Sequence, residues 1–100
     1  MPLVYTTDRF DRWFAALRDQ SAKRRIQARI DRIEDGHFGD YKPIREKVFE
    51  MRLQHGPGYR IYYSLRGLDV VILLAGGDKS TQMSDIEMAI RETRQLEDKT

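Results

Sequence analysis

The fold of this chain is decided by residues 48–65, which read Val48-Phe-Glu-Met-Arg-Leu-Gln54, His55-Gly-Pro-Gly58 and Tyr59-Arg-Ile-Tyr-Tyr-Ser-Leu65. In the first and last of these segments, the side-chain character alternates with a period of two. Such alternation is typical of strands, and a proline between glycines is typical of the turn that joins them. The stretch therefore predicts an antiparallel β-hairpin.

The same alternation predicts which side chains share a face of the hairpin. Glu50 and Arg52 fall on one face of the first strand, and Arg60 and Tyr62 fall on one face of the second. Folding the hairpin can place all four on one sheet surface. The planar guanidinium of arginine stays charged and donates two parallel hydrogen bonds to phosphate. The pattern therefore suits the binding of a phosphodiester. The alternative is that the two arginines are simply solvated or pair with nearby glutamates.

Length and composition predict a single globular domain over residues 1–100. The chain is 40% hydrophobic and 34% charged, with a formal net charge of +2. It contains no cysteine, which excludes a disulfide framework and a thiolate metal site and fits a reducing compartment. We find no signal peptide and no apolar run long enough to span a bilayer, and we therefore expect a cytoplasmic protein without a membrane partner.

Apolar periodicity predicts an α+β fold with two N-terminal helices, an antiparallel β-sheet of three to four strands and a C-terminal helix, in one layer of sheet against helices.

The segment Gly76–Gln82 is predicted to be a flexible polar loop. The third strand is apolar on both faces past Asp69, which indicates a strand covered on both sides. The first helix is predicted to run from Asp8 to Arg18, and the second to start after Ser21 and end before Gly36. The predicted strands are 47–54, 58–65 and 68–75, and the last helix is predicted to start at Ser84, with Ser84 and Glu87 as a capping box.

Further candidates for phosphate chemistry lie outside the two strand arginines. Lys79 follows the last strand and is placed to reach a phosphate, although its loop lacks the spacing of a P-loop. His55 lies in the hairpin turn, and histidine is the usual general base near neutral pH. Each has a plain alternative as a surface residue. Two histidines without cysteine do not make a zinc site, and we expect neither metal nor cofactor.

Candidate RNA-binding residues are of two kinds. Tyr62 falls on the arginine face, where its ring can stack on a nucleobase, and Tyr59 precedes Arg60. Arg25 and Arg29 belong to a basic face of the second helix, which suits a polyanion or is a solvated face supported by i,i+4 pairs.

Several motifs, taken in order and spacing, resemble the HigB-like branch of the RelE/ParE superfamily, the toxins (addiction module killer proteins) of type II toxin–antitoxin systems. The resemblance covers about residues 5–95. The motifs are Phe10-Asp-Arg-Trp13 with Leu17-Arg-Asp19, Ala28-Arg-Ile-Asp-Arg-Ile33 with Gly36-His-Phe-Gly-Asp40, Val48-Phe-Glu-Met-Arg52, Gly56-Pro-Gly-Tyr-Arg-Ile-Tyr-Tyr63, and Leu73-Leu-Ala-Gly-Gly-Asp-Lys-Ser-Thr-Gln82 with Asp85-Ile86.

The resemblance implies a ribosome-dependent mRNA endonuclease that inhibits translation. It also implies a cognate helix-turn-helix antitoxin of the HigA type and a toxin–antitoxin hetero-oligomer. The family's basic residues on the concave sheet face match Arg52, Arg60 and Lys79. Nothing aromatic follows Tyr63, where nucleases of the family often have a tyrosine or histidine, so the general acid and base stay open among Glu50, Lys79 and His55. The alternatives are a non-enzymatic DNA gyrase inhibitor of the ParE type and a small protein-binding regulator.

Overall fold

The computed structural model describes residues 2–98 and shows five strands and three α-helices within them. A short 3-10 helix precedes the last helix. None of the helices in this part of the chain is long and apolar enough to cross a membrane. The elements are β1 (Leu3–Thr6), α1 (Asp8–Ala16), α2 (Gln20–Glu34), β2 (Tyr41–Arg45), β3 (Val48–Leu53), β4 (Tyr59–Arg66), β5 (Val70–Gly77), the 3-10 helix (Lys79–Thr81) and α3 (Gln82–Asp98).

The five strands form one sheet in the order β1-β5-β4-β3-β2. The strand pairings among β2, β3, β4 and β5 are antiparallel, whereas β1 pairs with β5 in parallel. The predicted α+β class is therefore confirmed, but the sheet is mixed and has more strands than predicted. Strand β1 was not predicted because it has only four residues, and β2 was not predicted because Pro43 interrupts a segment of loop-like composition.

The α1–α2 pair covers one face of the sheet, as the apolar stripes of both helices predict. Phe10 in α1 and Ile26, Ile30 and Ile33 in α2 are buried. Thr7 caps α1 by accepting a 3.1 Å hydrogen bond from the backbone N–H of Phe10. The sheet residues in this core are Met51, Leu53, Ile61, Tyr63, Val71 and Leu73.

Helix α3 covers the opposite face of the sheet from α1 and α2. Its residues Ala89 and Ile90 pack with Val48, Tyr62 and Leu74 of the sheet. Strand β5 contributes to both cores, so the prediction of a strand covered on both sides is confirmed. The sheet thus lies between two helical layers.

Two predictions at the start of the last helix are wrong. The helix begins at Gln82 and not at Ser84, and most of the predicted loop Gly76–Gln82 belongs to β5, the 3-10 helix and α3. Asp78 is the N-cap of the 3-10 helix, because its Oδ1 accepts a 2.8 Å hydrogen bond from the backbone N–H of Ser80. The 3-10 helix runs directly into α3 at Gln82. Ser84 is therefore already inside α3, where its hydroxyl donates to the carbonyl of Thr81 at 3.1 Å. A capping box does exist, but Asp78 and Thr81 form it.

The first two helices differ from prediction only at their ends. Helix α1 ends at Ala16 instead of Arg18. Helix α2 begins at Gln20, because the side chain of Asp19 accepts a 3.1 Å hydrogen bond from the backbone N–H of Ala22 and caps the helix.

Candidate active site

The hairpin β3–β4 brings Glu50, Arg52 and Arg60 together on the sheet face that α3 covers. The register pairs Glu50 with Tyr62 and Arg52 with Arg60. Like charges directly opposite each other on a sheet destabilise it, so the two arginines require an anion between them. The carboxylate of Glu50 supplies that anion. We call Glu50, Arg52, Arg60 and Gln82 the Glu50 cluster.

Both oxygens of the Glu50 carboxylate are held. Oε1 accepts hydrogen bonds from Nε of Arg52 at 2.9 Å and from Nη1 of Arg60 at 3.3 Å. Oε2 accepts a 2.8 Å hydrogen bond from the side-chain amide of Gln82, at the start of α3. The Glu50 side chain is 0% exposed, whereas Arg60 is 14% and Arg52 is 38% exposed. The carboxylate is thus a buried anchor, and the guanidiniums reach toward solvent.

These contacts keep Glu50 ionised. Burial by itself raises the pKa of this carboxyl group, but the hydrogen bonds from Arg52 and Gln82 and the charge of Arg60 outweigh burial, so the pKa is lowered. Two guanidiniums and one carboxylate leave a net charge of about +1 at this place. The Nε of Arg60 is buried and has no hydrogen-bond partner within residues 2–98. Because the net positive charge lies on partly exposed arginine side chains, the cluster can attract a second anion.

Tyr62 lies on the predicted face but cannot stack on a nucleobase in this structure, which corrects its assignment. Its side chain is 0% exposed because α3 covers it. Burial raises the pKa of the Tyr62 hydroxyl, and the negative charge of Glu50 raises it further. The hydroxyl lies close enough to influence Glu50, without the geometry of a full hydrogen bond. Tyr62 is a core residue below the cluster.

Lys79 and His55 lie at the ends of the elements that carry the cluster. Lys79 is exposed, two residues beyond Gly77, which pairs with Arg60 across β4 and β5. Its Cβ lies 3.8 Å from where a Cβ at Gly58 would be, so it begins beside the β3–β4 turn. His55 instead contacts Asp19, with 3.4 Å between Nε2 and Oδ2. Because Asp19 caps α2, His55 faces the α1–α2 side of the sheet.

Three further candidates also lie on the α1–α2 side, outside the Glu50 cluster. Tyr59 is half-buried against Trp13, with 6.3 Å between ring centroids, so its ring is packed rather than offered to a base. Arg29 donates to the backbone carbonyls of Arg52 at 2.8 Å and of Phe38 at 3.2 Å, so its main contacts are structural. Arg25 is exposed.

Sequence reasoning missed Gln82 as a member of the cluster. Its only signal was that it ends the last motif of the family resemblance. Strand alternation could not place it, because Gln82 lies in α3 and meets Glu50 only through the packing of that helix on the sheet. Within residues 2–98, no group of three or more histidine, aspartate or glutamate side chains is arranged to hold a metal ion.

Comparisons with known proteins place the chain in a family of the toxin–antitoxin type, similar to RelE and HigB toxins. Residues 12–95 match the family described as Phage derived protein Gp49-like (DUF891), and the chain belongs to that family. An uncharacterized protein of Haemophilus influenzae is 46% identical over 86 residues, which cover 86% of this chain and 87% of that protein. No solved structure matches the chain significantly.

Proposed function

We propose that this protein is the toxin of a type II toxin–antitoxin module, of the HigB branch, and acts as a ribosome-dependent mRNA endonuclease. The observation that carries the proposal is the pair of arginines held on one buried carboxylate. A cognate helix-turn-helix antitoxin neutralises the toxin, and the complex is a hetero-oligomer. Because the substrate is mRNA on the ribosome, the protein acts in the cytoplasm.

The Glu50 cluster suits the charge that develops during RNA cleavage. The 2′-hydroxyl of a nucleotide loses its proton to water and attacks its own 3′ phosphate, and the bond to the 5′ oxygen of the next nucleotide breaks. The products are a 2′,3′-cyclic phosphate and a 5′-hydroxyl. Negative charge grows on the phosphorus oxygens, where Arg52 and Arg60 stabilise it. A preorganised donor of this kind contributes about 2.7–4 kcal/mol in other enzymes.

The burial of Glu50 defines its role in this mechanism. A base must reach the proton that it removes, and the Glu50 carboxylate has no exposed surface and is held at both oxygens. Glu50 is therefore a positioning residue that fixes two guanidiniums in the geometry a phosphate needs. Fixing them in advance spares the entropy of ordering two long side chains when the substrate binds.

Lys79 is the proton donor that we favour. It is exposed beside the β3–β4 turn and at the same end of β5 as the residue that pairs with Arg60. An ammonium group there can add positive charge and protonate the leaving 5′ oxygen. His55 faces Asp19 instead, and we therefore favour it less as the proton donor. With few proton-transfer groups of its own, the enzyme relies on the ribosome to bend the mRNA into an in-line geometry.

The proposal is tested by primer extension on a defined mRNA in a purified translation system. Wild type, Arg60→Ala and Arg66→Ala are compared, since Arg66 lies at the far end of the same strand, outside the Glu50 cluster. We expect cuts within the translated region with wild type and Arg66→Ala, only when ribosomes are present. Arg60→Ala should cut at least 100-fold less, which corresponds to about 2.7 kcal/mol.

Two other outcomes contradict the proposal in different ways. Equal cutting by Arg60→Ala and wild type, with both folded by circular dichroism, removes this arginine from the mechanism. No cutting by stoichiometric wild type rejects the nuclease, and accumulated gyrase–DNA breaks would then identify a gyrase inhibitor.

A further inference from the structure

A cleft lies on the side of the sheet opposite the Glu50 cluster, between α2 and the end of β3. It holds a volume of about 230 Å³. Arginines from one face of α2 form one wall, and residues at the end of β3 form the other. The lining side chains include Arg25, Arg29, Arg32, Leu53, Gln54 and His55. We call this space the α2 cleft.

The α2 cleft concentrates positive charge that, within residues 2–98, is countered only in part, by Asp40 acting on Arg29. Arg25 and Arg32 are exposed and make no ion pair or side-chain hydrogen bond in this part of the chain. Arg29 lies between them on the helix. Burial lowers the pKa of Arg29, and the charge of Arg32 lowers it further, although Asp40 opposes both. Like charges so close together are relieved when an anion enters.

The α2 cleft is joined to the Glu50 cluster through one residue of β3. The Nη1 of Arg29 donates a 2.8 Å hydrogen bond to the backbone carbonyl of Arg52. The side chain of Arg52 belongs to the Glu50 cluster, and the next residue, Leu53, faces the α2 side. Because successive strand side chains point to opposite faces, the two basic sites lie back to back across the end of β3.

The edge of the sheet is covered as far as Arg52, whose backbone N–H donates a 3.1 Å hydrogen bond to the carbonyl of Asp40, and it is open beyond that residue. Strand β2 pairs with β3 only as far as Tyr41 opposite Met51. Beyond that pair, Gln54 and the following turn residues have no neighbouring strand on that side within the described part of the chain. An extended polyanion can therefore pass from one basic site to the other around the end of β3.

We propose that the α2 cleft binds a backbone phosphate of single-stranded RNA, as a second phosphate site separate from the Glu50 cluster. The choice of RNA as the polyanion rests on the proposed function. The guanidiniums of Arg25 and Arg32 bind the phosphate, and Arg29 fixes the cleft to β3. A flexible single strand can follow the path around the sheet edge, whereas a stiff duplex cannot.

The test is binding of a fluorescent 2′-O-methyl RNA oligonucleotide, which has no free 2′-hydroxyl and cannot be cleaved. Fluorescence anisotropy over a range of salt concentrations gives the affinity and its salt dependence. The double variant Arg25→Gln/Arg32→Gln is compared with Arg24→Gln/Arg91→Gln, which removes the same charge from exposed positions outside the cleft. Thermal unfolding verifies that both variants fold.

We expect the cleft variant to bind roughly tenfold more weakly than the control. The slope of log K against log salt should fall by about 0.7 for each phosphate that the variant no longer binds. Equal affinity and slope in the two variants would overturn the proposal, and so would a wild type that does not bind the RNA. A cleft variant that binds RNA normally but no longer binds an acidic peptide would assign the cleft to a protein partner and would also overturn it.

The outcomes separate this proposal from the proposed function. If wild type cuts mRNA but the two double variants bind RNA alike, only the second phosphate site is wrong. If no mRNA is cut but the cleft variant still binds RNA more weakly, the site stands as an RNA-binding site and the nuclease is wrong.

Discussion

The side-chain amide of Gln82 donates a 2.8 Å hydrogen bond to Oε2 of Glu50 and so joins the first turn of α3 to strand β3. The other oxygen of the same carboxylate holds Arg52 and Arg60. Both arginines are therefore positioned by a group whose own position depends on how α3 packs. The candidate site therefore forms only when the helix packs on the sheet. The contribution of Glu50 to holding it together can be measured as a change in the free energy of unfolding.

Removing the charge of Glu50 should destabilise the protein strongly. Glu50→Gln leaves two guanidiniums facing each other without an anion. Breaking a buried ion pair by removing one partner costs about 3–5 kcal/mol, and we expect the lower end because Arg52 is partly exposed. The free energy of unfolding is measured by urea denaturation, with Glu34→Gln as an exposed control. Equal stability of the two variants would mean that Glu50 is not the anchor.

Glu50 should also make the protein sensitive to acid. Its pKa in the folded state lies below the ordinary glutamate value of 4.5. The unfolded chain therefore takes up a proton before the folded chain does, and stability contributed above pH 4.5 is lost as the pH falls through the lowered pKa. Urea denaturation at several pH values should show a shallower acid loss in Glu50→Gln than in wild type. Parallel profiles would contradict this assignment.

Asp85 should have the opposite effect. Burial raises its pKa above the ordinary aspartate value of 3.8, and nearby Asp78 raises it further, although a hydrogen bond from Thr81 lowers it. Ionisation of Asp85 thus costs stability at neutral pH. Asp85→Asn keeps an acceptor for Thr81, so we expect a higher melting temperature at pH 7. The gain should vanish as the pH falls below about 3.8. A lower melting temperature at pH 7 would show that the carboxylate is needed there.

Gly76 allows the indole of Trp13 to lie directly on β5. A Cβ at Gly76 would lie 2.2 Å from Cε3 of Trp13, so the ring or the strand must move. Overpacking of this kind costs about 1–3 kcal/mol, and we expect Gly76→Ala to lose that much. Trp13→Leu removes the indole, so Gly76→Ala should cost less stability in the Trp13→Leu background than in wild type. Additive effects in this double-mutant cycle would show that the two residues do not clash.

The turn between β2 and β3 offers a stabilising substitution. Glu46 and Lys47 both have positive φ, 51° and 68°. Two such residues form the tight turn that suits antiparallel strands, but a side chain disfavours this conformation. Lys47→Gly should stabilise the protein by about 1 kcal/mol. The ion pair with Glu97, which this variant lacks, is largely exposed and contributes little.

Thermal unfolding tests the Lys47→Gly prediction, with Lys42→Gly in the adjacent edge strand β2 as the control. A decrease in stability would show that the ion pair outweighs the strain.

Much of the fold could be predicted because its signals are local. The apolar stripe at Ile26, Ile30 and Ile33 predicted α2, and the alternation along 48–65 predicted β3 and β4. The missed strand β1 is short, and its pairing partner β5 lies more than sixty residues further along the chain. Asp78 was missed as a cap because a serine and a glutamate with the right spacing stand a few residues later.

The candidate site was predictable only where strand alternation reaches it. Glu50, Arg52 and Arg60 were expected on one surface, and cross-strand pairing brings them there. The exposure of each side chain was not predictable, because it depends on what packs over the sheet. Tyr62 shows this, since it was expected to meet a base and instead lies under α3.

The helices, the hairpin and the face that carries the two arginines could be predicted, because periods of 3.6 and two residues are visible in the local order of side chains. The position of α3 on the opposite face from α1 and α2 depends on how the helices pack against the sheet. That placement buries Glu50 and Tyr62, leaves the side chains of Arg52 and Arg60 partly exposed, and brings Gln82 into contact with the Glu50 carboxylate. The physical reason is that burial and charge pairing depend on contacts between residues far apart in the chain, which no local pattern records.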